Sequence, residues 1–231
     1  MDITKIIKFI PDLPGVYLMK DKSGKIIYIG KSSALRKRVS SYFAQSPRSS
    51  KITLLVPQIK DIDYLVCSSE AEALLVEAAL IKEHRPKYNI ELKDDKAYPM
   101  LKLKVRDKFA TLTIVRRRFN DGARYFGPFT DSSLLKDALS MIRKIFKLRT
   151  CRLIPKKECL DYHLGYCSAP CIKKISKSTY RESIKELELF LDGKKDGLVK
   201  NLTERMGQAS KALDFEKAAS LRDRIRALTS V

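Results

Sequence analysis

The stretch "GVYLMKDKSGKIIYIGK" (residues 15–31) constrains the fold most. Two short apolar runs flank a polar turn, the pattern of strand, tight connection and strand. With the loop at 21–24, Lys20 faces Lys25 and, counting outward, Tyr17 faces Tyr28. Opposed residues project to one face of a sheet, so this register sets the two phenol rings side by side. Tyrosine suits a strand on packing grounds alone. The pair acquires meaning only from what the rest of the chain brings to it.

The remainder mixes both kinds of element. Ser32 or Ser33 caps a helix running to about Phe43, with Leu35, Val39 and Phe43 as its apolar stripe and Arg38 and Tyr42 along one border. A loop at 46–51 precedes a third strand at 62–68. Ser69 caps a second helix to about Glu83, and Pro86 follows its end. Residues 85–99 read as irregular and polar. "LKLKV" and "TLTIVRRRF" suit a second hairpin, "YFGPFTD" a turn-rich link, and residues 132–146 a further helix. From about Ser178 the chain is helical, broken at 191–197, and Asp214 caps the last helix of a helical hairpin. The expected fold class is α+β. A mainly antiparallel sheet flanked by helices occupies 1–95, a basic hairpin, helix and cysteine region 96–176, and a helical region 177–231.

Charge narrows the partners. The 231 residues carry 47 Lys plus Arg against 27 Asp plus Glu, a formal net charge of +20. Such an excess favours a polyanion. No apolar run is long enough to span a bilayer, and the first residues lack a signal-peptide core. The expectation is a cytoplasmic protein with no membrane partner, in which cysteines serve metal binding before disulfides.

Glu77 is the most informative single residue. Its helical neighbours are Ala73, Leu74, Leu80 and Ile81, so a carboxylate sits within an apolar surface. Burying it is costly unless it is paired or holds a metal. Lys31 directly follows the second strand, and Arg38 and Tyr42 follow on the next helix. Phenols, two cations and one carboxylate suit phosphodiester hydrolysis: a tyrosine takes a proton from water, cations offset charge on phosphorus, and a divalent ion on the acid stabilises the leaving oxygen.

These residues carry a resemblance. "PGVYLMKDKSGKIIYIGKSSALRKRVSSYF", "SEAEALLVEAALIKEHRPKYNIELKDDKAYP" and "RYFGPFTD" together resemble the UvrC family, whose first domain is a GIY-YIG nuclease. The resemblance implies Tyr28 as general base and Tyr17 as the residue that binds the attacking water or supports that base. It further implies Lys31, Arg38 and Tyr42 as stabilisers of phosphate charge, Glu77 as the ligand of Mg2+ or Mn2+, and Asn89 as the residue completing the site. Ala78 and Ala79 stand where the family has polar residues, so the surroundings of the metal ligand depart from its pattern.

Cys151, Cys159, Cys167 and Cys171 fall within 21 positions, a C-x7-C-x7-C-x3-C pattern in a segment with little periodicity. Four thiolates there signal a metal that defines the segment. The spacing is not that of paired zinc knuckles. A [4Fe–4S] cluster is the expectation, as the family resemblance also implies, with Zn2+ as the alternative.

Lys102, Lys104, Arg116, Arg117 and Arg118 crowd the second hairpin. "RRR" on a strand places charge on both faces, which points to contact with DNA phosphate and little base specificity. The tail "ALDFEKAASLRDRIRAL" resembles the UVR motif, through which the family binds UvrB. That likeness implies Phe215, Glu216, Ala219, Arg222, Asp223 and Ile225 as contacts. The whole chain resembles the N-terminal half of the family. The implied activity is a metal-dependent endonuclease of nucleotide excision repair, cutting on the 3′ side of lesions in double-stranded DNA presented by UvrB with UvrA upstream. The half of the family that cuts on the 5′ side is not expected in this chain. A non-catalytic adaptor joining UvrB to DNA is the alternative.

Overall fold

The computed structural model describes residues 3–44, 50–89 and 98–229. The chain divides into two compact units, residues 1–95 and 96–231. Most of the loop expected at 46–51, and residues 90–97 of the irregular link expected at 85–99, lie outside the described residues.

Three antiparallel strands organise the first unit: β1 (Gly15–Lys20), β2 (Ile26–Ser32) and β3 (Asp61–Val66), in the order β2-β1-β3. The central strand alternates as a two-sided strand must. Tyr17 and Met19 enter a cluster with Ile10, Leu35, Val39, Tyr42 and Leu55 on one face. That face is covered by α1 (Ile3–Phe9), α2 (Leu35–Ser41) and α3 (Ser50–Leu55). Val16 and Leu18 enter a second cluster with Ile29, Cys67 and Ala73 beneath α4 (Glu70–His84). Each fully buried Leu, Ile or Met contributes roughly 1.5–3 kcal/mol. Helix α3 begins at Ser50, inside the expected loop.

The hairpin register differs from the one read off the turn. Tyr17 lies opposite Gly30 and Met19 opposite Tyr28, with a bulge between Met19 and Lys20. The turn supplies the reason. The Asp21 N–H donates to the Lys25 carbonyl at 3.0 Å, and Asp21 Oδ1 accepts from the Ser23 and Lys25 N–H groups. The loop is therefore the three residues 22–24, ending on Gly24 at φ +79°, a left-handed position followed by a bulge. The pairing slips by two positions. Facing is preserved, because side chains alternate with period two, and Tyr17 and Tyr28 become diagonal neighbours on one face.

The two helices that frame the site are capped differently. Helix α2 has Ala34 at its N-cap and no side-chain cap bond. Neither Ser32 nor Ser33, the two expected caps, takes that place: Ser32 still belongs to β2, and its Oγ is taken by the Ala34 carbonyl and N–H. Helix α4 starts as expected: Ser69 Oγ accepts from the Glu72 N–H at 3.1 Å, while Glu72 Oε2 accepts from Ser68 N–H at 2.7 Å.

In the second unit β4 (Met100–Leu103), β5 (Leu112–Val115) and β6 (Arg124–Phe126) form an antiparallel sheet ordered β5-β4-β6. Strand β6 is three residues inside the turn-rich link, too short for periodicity to reveal. Asp131 caps α5 (Ser132–Phe146) by accepting from the Ser133 and Leu134 N–H groups. Then follow α6 (Leu160–His163), α7 (Lys177–Leu191), α8 (Lys195–Lys211) and α9 (Phe215–Thr229). Asp214 Oδ1 accepts from the Lys217 N–H at 3.1 Å, as a cap should. The α8–α9 hairpin buries Leu198, Leu202, Leu221 and Leu228. It is also anchored: Glu186 of α7, 7% exposed, pairs with Arg205 of α8 and Arg224 of α9, each at 2.6 Å. Among the described residues no helix is long and apolar enough to cross a membrane.

Candidate active site

Strand β2 is an edge strand, and an edge presents unpaired backbone groups at every second residue. In this unit those groups are met in turn. The Tyr88 N–H donates to the Ile27 carbonyl at 2.9 Å. Asn89 meets both backbone groups of Ile29: Oδ1 accepts from its N–H and Nδ2 donates to its carbonyl, each at 2.8 Å. The Lys31 N–H donates to Glu77 Oε1 at 3.1 Å. The edge that would invite another chain thus becomes the line along which the site residues are held.

Glu77 arrives there because α4 lies on β2 with Ala73, Val76, Leu80 and Ile81 inward. Half-buried, its carboxyl is pushed up in pKa by desolvation, opposed by the Lys31 charge and the Lys31 N–H. One half-buried carboxylate at an open edge suits Mg2+, which keeps several waters and needs only one or two carboxylates from protein.

The phenols meet on the other face. Tyr17 Oη and Tyr42 Oη are 2.8 Å apart, and the Tyr42 hydroxyl donates to Tyr28 Oη at 3.4 Å. Ring centroids stand 6.1, 5.9 and 6.1 Å apart, an almost equilateral triangle. Tyr17 is packed this deeply because its ring lies over Gly30, where a Cβ would overlap it. Burial, reinforced by the neighbouring phenols, pushes the Tyr17 and Tyr28 hydroxyls up in pKa, and the Glu77 charge adds to the rise at Tyr28.

One cation stands against this triangle and a second on the α4 side of β2. Arg38 Nη2 donates to Tyr42 Oη at 3.5 Å, and its guanidinium sits 5.2 Å from the centre of that ring. Lys31 Nζ pairs with Glu70 Oε1 at 3.3 Å. Glu70 escaped the sequence reading. The available signal was its spacing, since 70 and 77 are two turns apart and share a face of α4. Tyr17, Tyr28, Lys31, Arg38, Tyr42, Glu77 and Asn89 all gather at this end of β2. Asn89, with both amide groups engaged by Ile29, is placed to position the strand.

The second unit corrects the reading of its basic hairpin. Lys102 is 8% exposed, ion-paired with Asp121, and lies over the Phe119 and Tyr125 rings. Its charge is engaged inside the unit by Asp121 and the two rings. Strand β5 ends at Val115, so Arg116, Arg117 and Arg118 lie beyond it on an exposed bend and not on both faces of a strand. Lys104 is exposed.

The four cysteines carry no disulfide. Cys167 is buried and Cys151, Cys159 and Cys171 are half-buried. Desolvation pushes the Cys167 thiol up in pKa, and the other three thiols add to the rise, so all four lie within electrostatic reach. Cys167 Sγ accepts from the Ala169 N–H at 3.4 Å, and Arg149 Nη1 lies 4.0 Å from Cys151 Sγ. Among the described residues, however, no group of three or more His, Cys, Asp or Glu side chains is assembled into a metal site. On α9, Phe215 is 64% exposed, Glu216, Arg222 and Asp223 are exposed, and Ala219 and Ile225 are half-buried. Arg222 and Asp223 pair with each other at 2.8 Å.

Comparison with known proteins gives three successive matches along the chain. Residues 13–90 match the UvrC-like GIY-YIG domain, 98–190 the middle domain of UvrC/Cho excinuclease, and 196–230 the UvrB/uvrC motif. UvrABC system protein C of Moorella thermoacetica is 43% identical over 235 residues, which cover 100% of this chain and 38% of that protein. The protein of the same name from Dictyoglomus thermophilum is 44% identical over 237 residues, covering 100% of this chain and 39% of its own length. The chain thus spans well under half the length of these relatives. Among solved structures, the GIY-YIG N-terminal endonuclease domain of Thermotoga maritima UvrC, bound to magnesium as its catalytic divalent cation, is 40% identical. The match covers 39% of this chain and 100% of that one, with a TM-score of 0.36.

Proposed function

This chain belongs to the UvrC family, matching its N-terminal part, and on that premise we propose that it is a divalent-metal-dependent DNA endonuclease. Its proposed reaction is the 3′-side incision of damaged double-stranded DNA presented by UvrB. One observation carries this reading: three phenol oxygens meet on one face of β2 with Arg38 beside them, and the Glu77 carboxylate, held by the Lys31 N–H, lies within electrostatic reach of Tyr28.

In this reading Tyr28 Oη, as phenolate, takes a proton from the attacking water. The water O–H bond breaks, a P–O bond forms, and the bond to the leaving oxygen breaks. Tyr42 and Tyr17 hold the Tyr28 oxygen in place through the chain of hydroxyl contacts. Arg38 and Lys31 offset charge on the phosphoryl oxygens. Glu77 would hold Mg2+ or Mn2+, which when bound supplies positive charge to the leaving oxygen and against the raised pKa of Tyr28. Asn89 fixes the strand that carries Tyr28.

The test is nicking of a damaged duplex with UvrA, UvrB and magnesium. Tyr28→Phe is expected to lose about 10²–10⁴-fold in rate, the usual worth of a general base. Because the Tyr28 hydroxyl is raised in pKa, wild-type rate should climb with pH above neutrality and the variant's should not. Equal rates, or the same pH dependence in both, would refute the role.

For the second unit we propose that Cys151, Cys159, Cys167 and Cys171 hold a [4Fe–4S] cluster, with Zn2+ as the alternative. The four-thiol donor set and the N–H contacts to sulfur support it, although the thiols must close further on one another to share a site. Anaerobically purified protein should then show broad visible absorption that Cys159→Ala and Cys167→Ala remove. A colourless, zinc-loaded protein decides for the alternative. The α8–α9 hairpin, with Leu213 and Phe215 standing out at 73% and 64% exposure, is the proposed surface for UvrB. The same hairpin motivates a second reading, a non-catalytic adaptor, which predicts binding of DNA and UvrB with no nicking in any divalent metal.

A further inference from the structure

Helix α5 of the second unit carries Lys136, Ser140, Arg143 and Lys144 at spacings of four, three and one, so all four share one face. That face forms one wall of a cleft of about 600 Å³, closed opposite by Thr150, Asp161 and Tyr166. Asp161 is the cleft's one acid, and it is already engaged, accepting from the Thr150 hydroxyl at 2.5 Å. A second cleft of about 380 Å³ shares Arg143 and Thr150 and continues past Lys104, Arg152 and the Thr111 and Thr113 hydroxyls.

Arg143 stands where the two clefts meet. Its Nη2 is fixed by the Leu112 carbonyl at 2.9 Å. Its Nε is buried with no hydrogen-bond partner among the described residues. Burial pushes its pKa down, against the opposing Asp161 charge. A buried donor without an acceptor is costly, and an anion entering the cleft would supply one. Lys144 is held 4.8 Å from the centre of the Tyr166 ring, and Lys136 and Arg152 make no ion pair among the described residues.

We propose that this double cleft is a phosphate-backbone track, in which Arg143 binds one phosphodiester and Lys136, Lys144, Lys104 and Arg152 take the phosphates on either side. The ligand class is the DNA backbone, a choice that rests on the nuclease reading above. A run of cations and hydroxyls suits sequence-independent contact with phosphates.

The experiment measures binding of a short fluorescein-labelled duplex to the full chain by anisotropy across a salt series. Lys136→Ala/Lys144→Ala changes two exposed side chains, so folding is preserved. It should lower the slope of log affinity against log salt by about 2, equally for unrelated sequences. Lys177→Ala/Lys185→Ala, with the same charge change on α7, should leave the slope unchanged. Arg143→Gln should weaken binding at temperatures well below its own melting transition, which loss of the Leu112 contact is expected to shift. Equal slopes for wild type and Lys136→Ala/Lys144→Ala overturn the proposal, as does equal loss in the α7 control. Inorganic phosphate that binds the chain as tightly as the duplex also overturns it, in favour of a free-anion site. Intact nicking without the slope effect refutes only this track, whereas lost nicking with the slope effect intact refutes only the nuclease reading.

Discussion

Glu77→Gln is expected to nick a damaged duplex roughly a thousandfold more slowly than the wild-type chain, the consequence of losing several kcal/mol of charge stabilisation at about 1.36 kcal/mol per tenfold. The same variant is expected to melt no lower than wild type in metal-free buffer, and higher at neutral pH. The sign follows from the raised Glu77 pKa, whose first cause is desolvation. A folded pKa above the unfolded one means that the carboxyl favours folding most below the unfolded value. That contribution is lost as pH rises through the folded value. At neutral pH the ionised acid therefore costs stability. Glutamine removes the cost and keeps an oxygen for the Lys31 N–H. Magnesium should raise the melting temperature of the wild type, because it binds only the folded site, and leave that of the variant unmoved. Calorimetry and a nicking assay on the same preparations check the three results. Equal nicking, or equal magnesium shifts, would remove Glu77 from the metal site.

Gly30→Ala is expected to cost about 2–4 kcal/mol, combining overpacking with a weakened buried hydrogen bond. A Cβ at this position would overlap the phenol end of Tyr17, its hydroxyl oxygen first and Cζ at 2.5 Å. Tyr17 is 1% exposed and joined to Tyr42 through oxygen, so its ring has no free space to enter. The melting temperature of the first unit should fall by on the order of 10 °C. Activity should fall beyond that, because the displaced ring no longer steadies Tyr42 and Tyr28. Adding Tyr17→Phe takes away the phenol oxygen, the atom nearest the new methyl. The double variant should therefore lose less than the sum of the singles, a coupling that a thermal-melt cycle reads directly. Strict additivity, or a wild-type melting curve for Gly30→Ala, would show that Tyr17 is not seated as described.

These two positions show how unevenly a sequence discloses a site. Glu77 was legible because helical periodicity is local: four apolar neighbours mark an acid that must lie against something. Tyr17 and Tyr28 were legible as a same-face pair, and that survived a two-residue slip because facing depends only on parity. Asn89 was legible only through family resemblance. Its two hydrogen bonds reach Ile29 across 60 positions of chain, and no pattern near Asn89 encodes them. Lys102 shows the converse. A lysine on an exposed-looking strand reads as surface, and only the folded sheet brings Asp121 and two rings to it.

The sequence by itself determined the long helices and the principal strands in their order, the caps at Ser69 and Asp214, and the set of chemical groups available. Each of these depends on interactions between residues a few positions apart. The tertiary structure alone decided the hairpin register, the closing of the β2 edge by Tyr88, Asn89 and Glu77, the pairing of Lys31 with Glu70, and the inward turn of Lys102. Backbone groups at a sheet edge take whichever partner the packing brings within about 3 Å, and that choice is made between segments far apart in the chain.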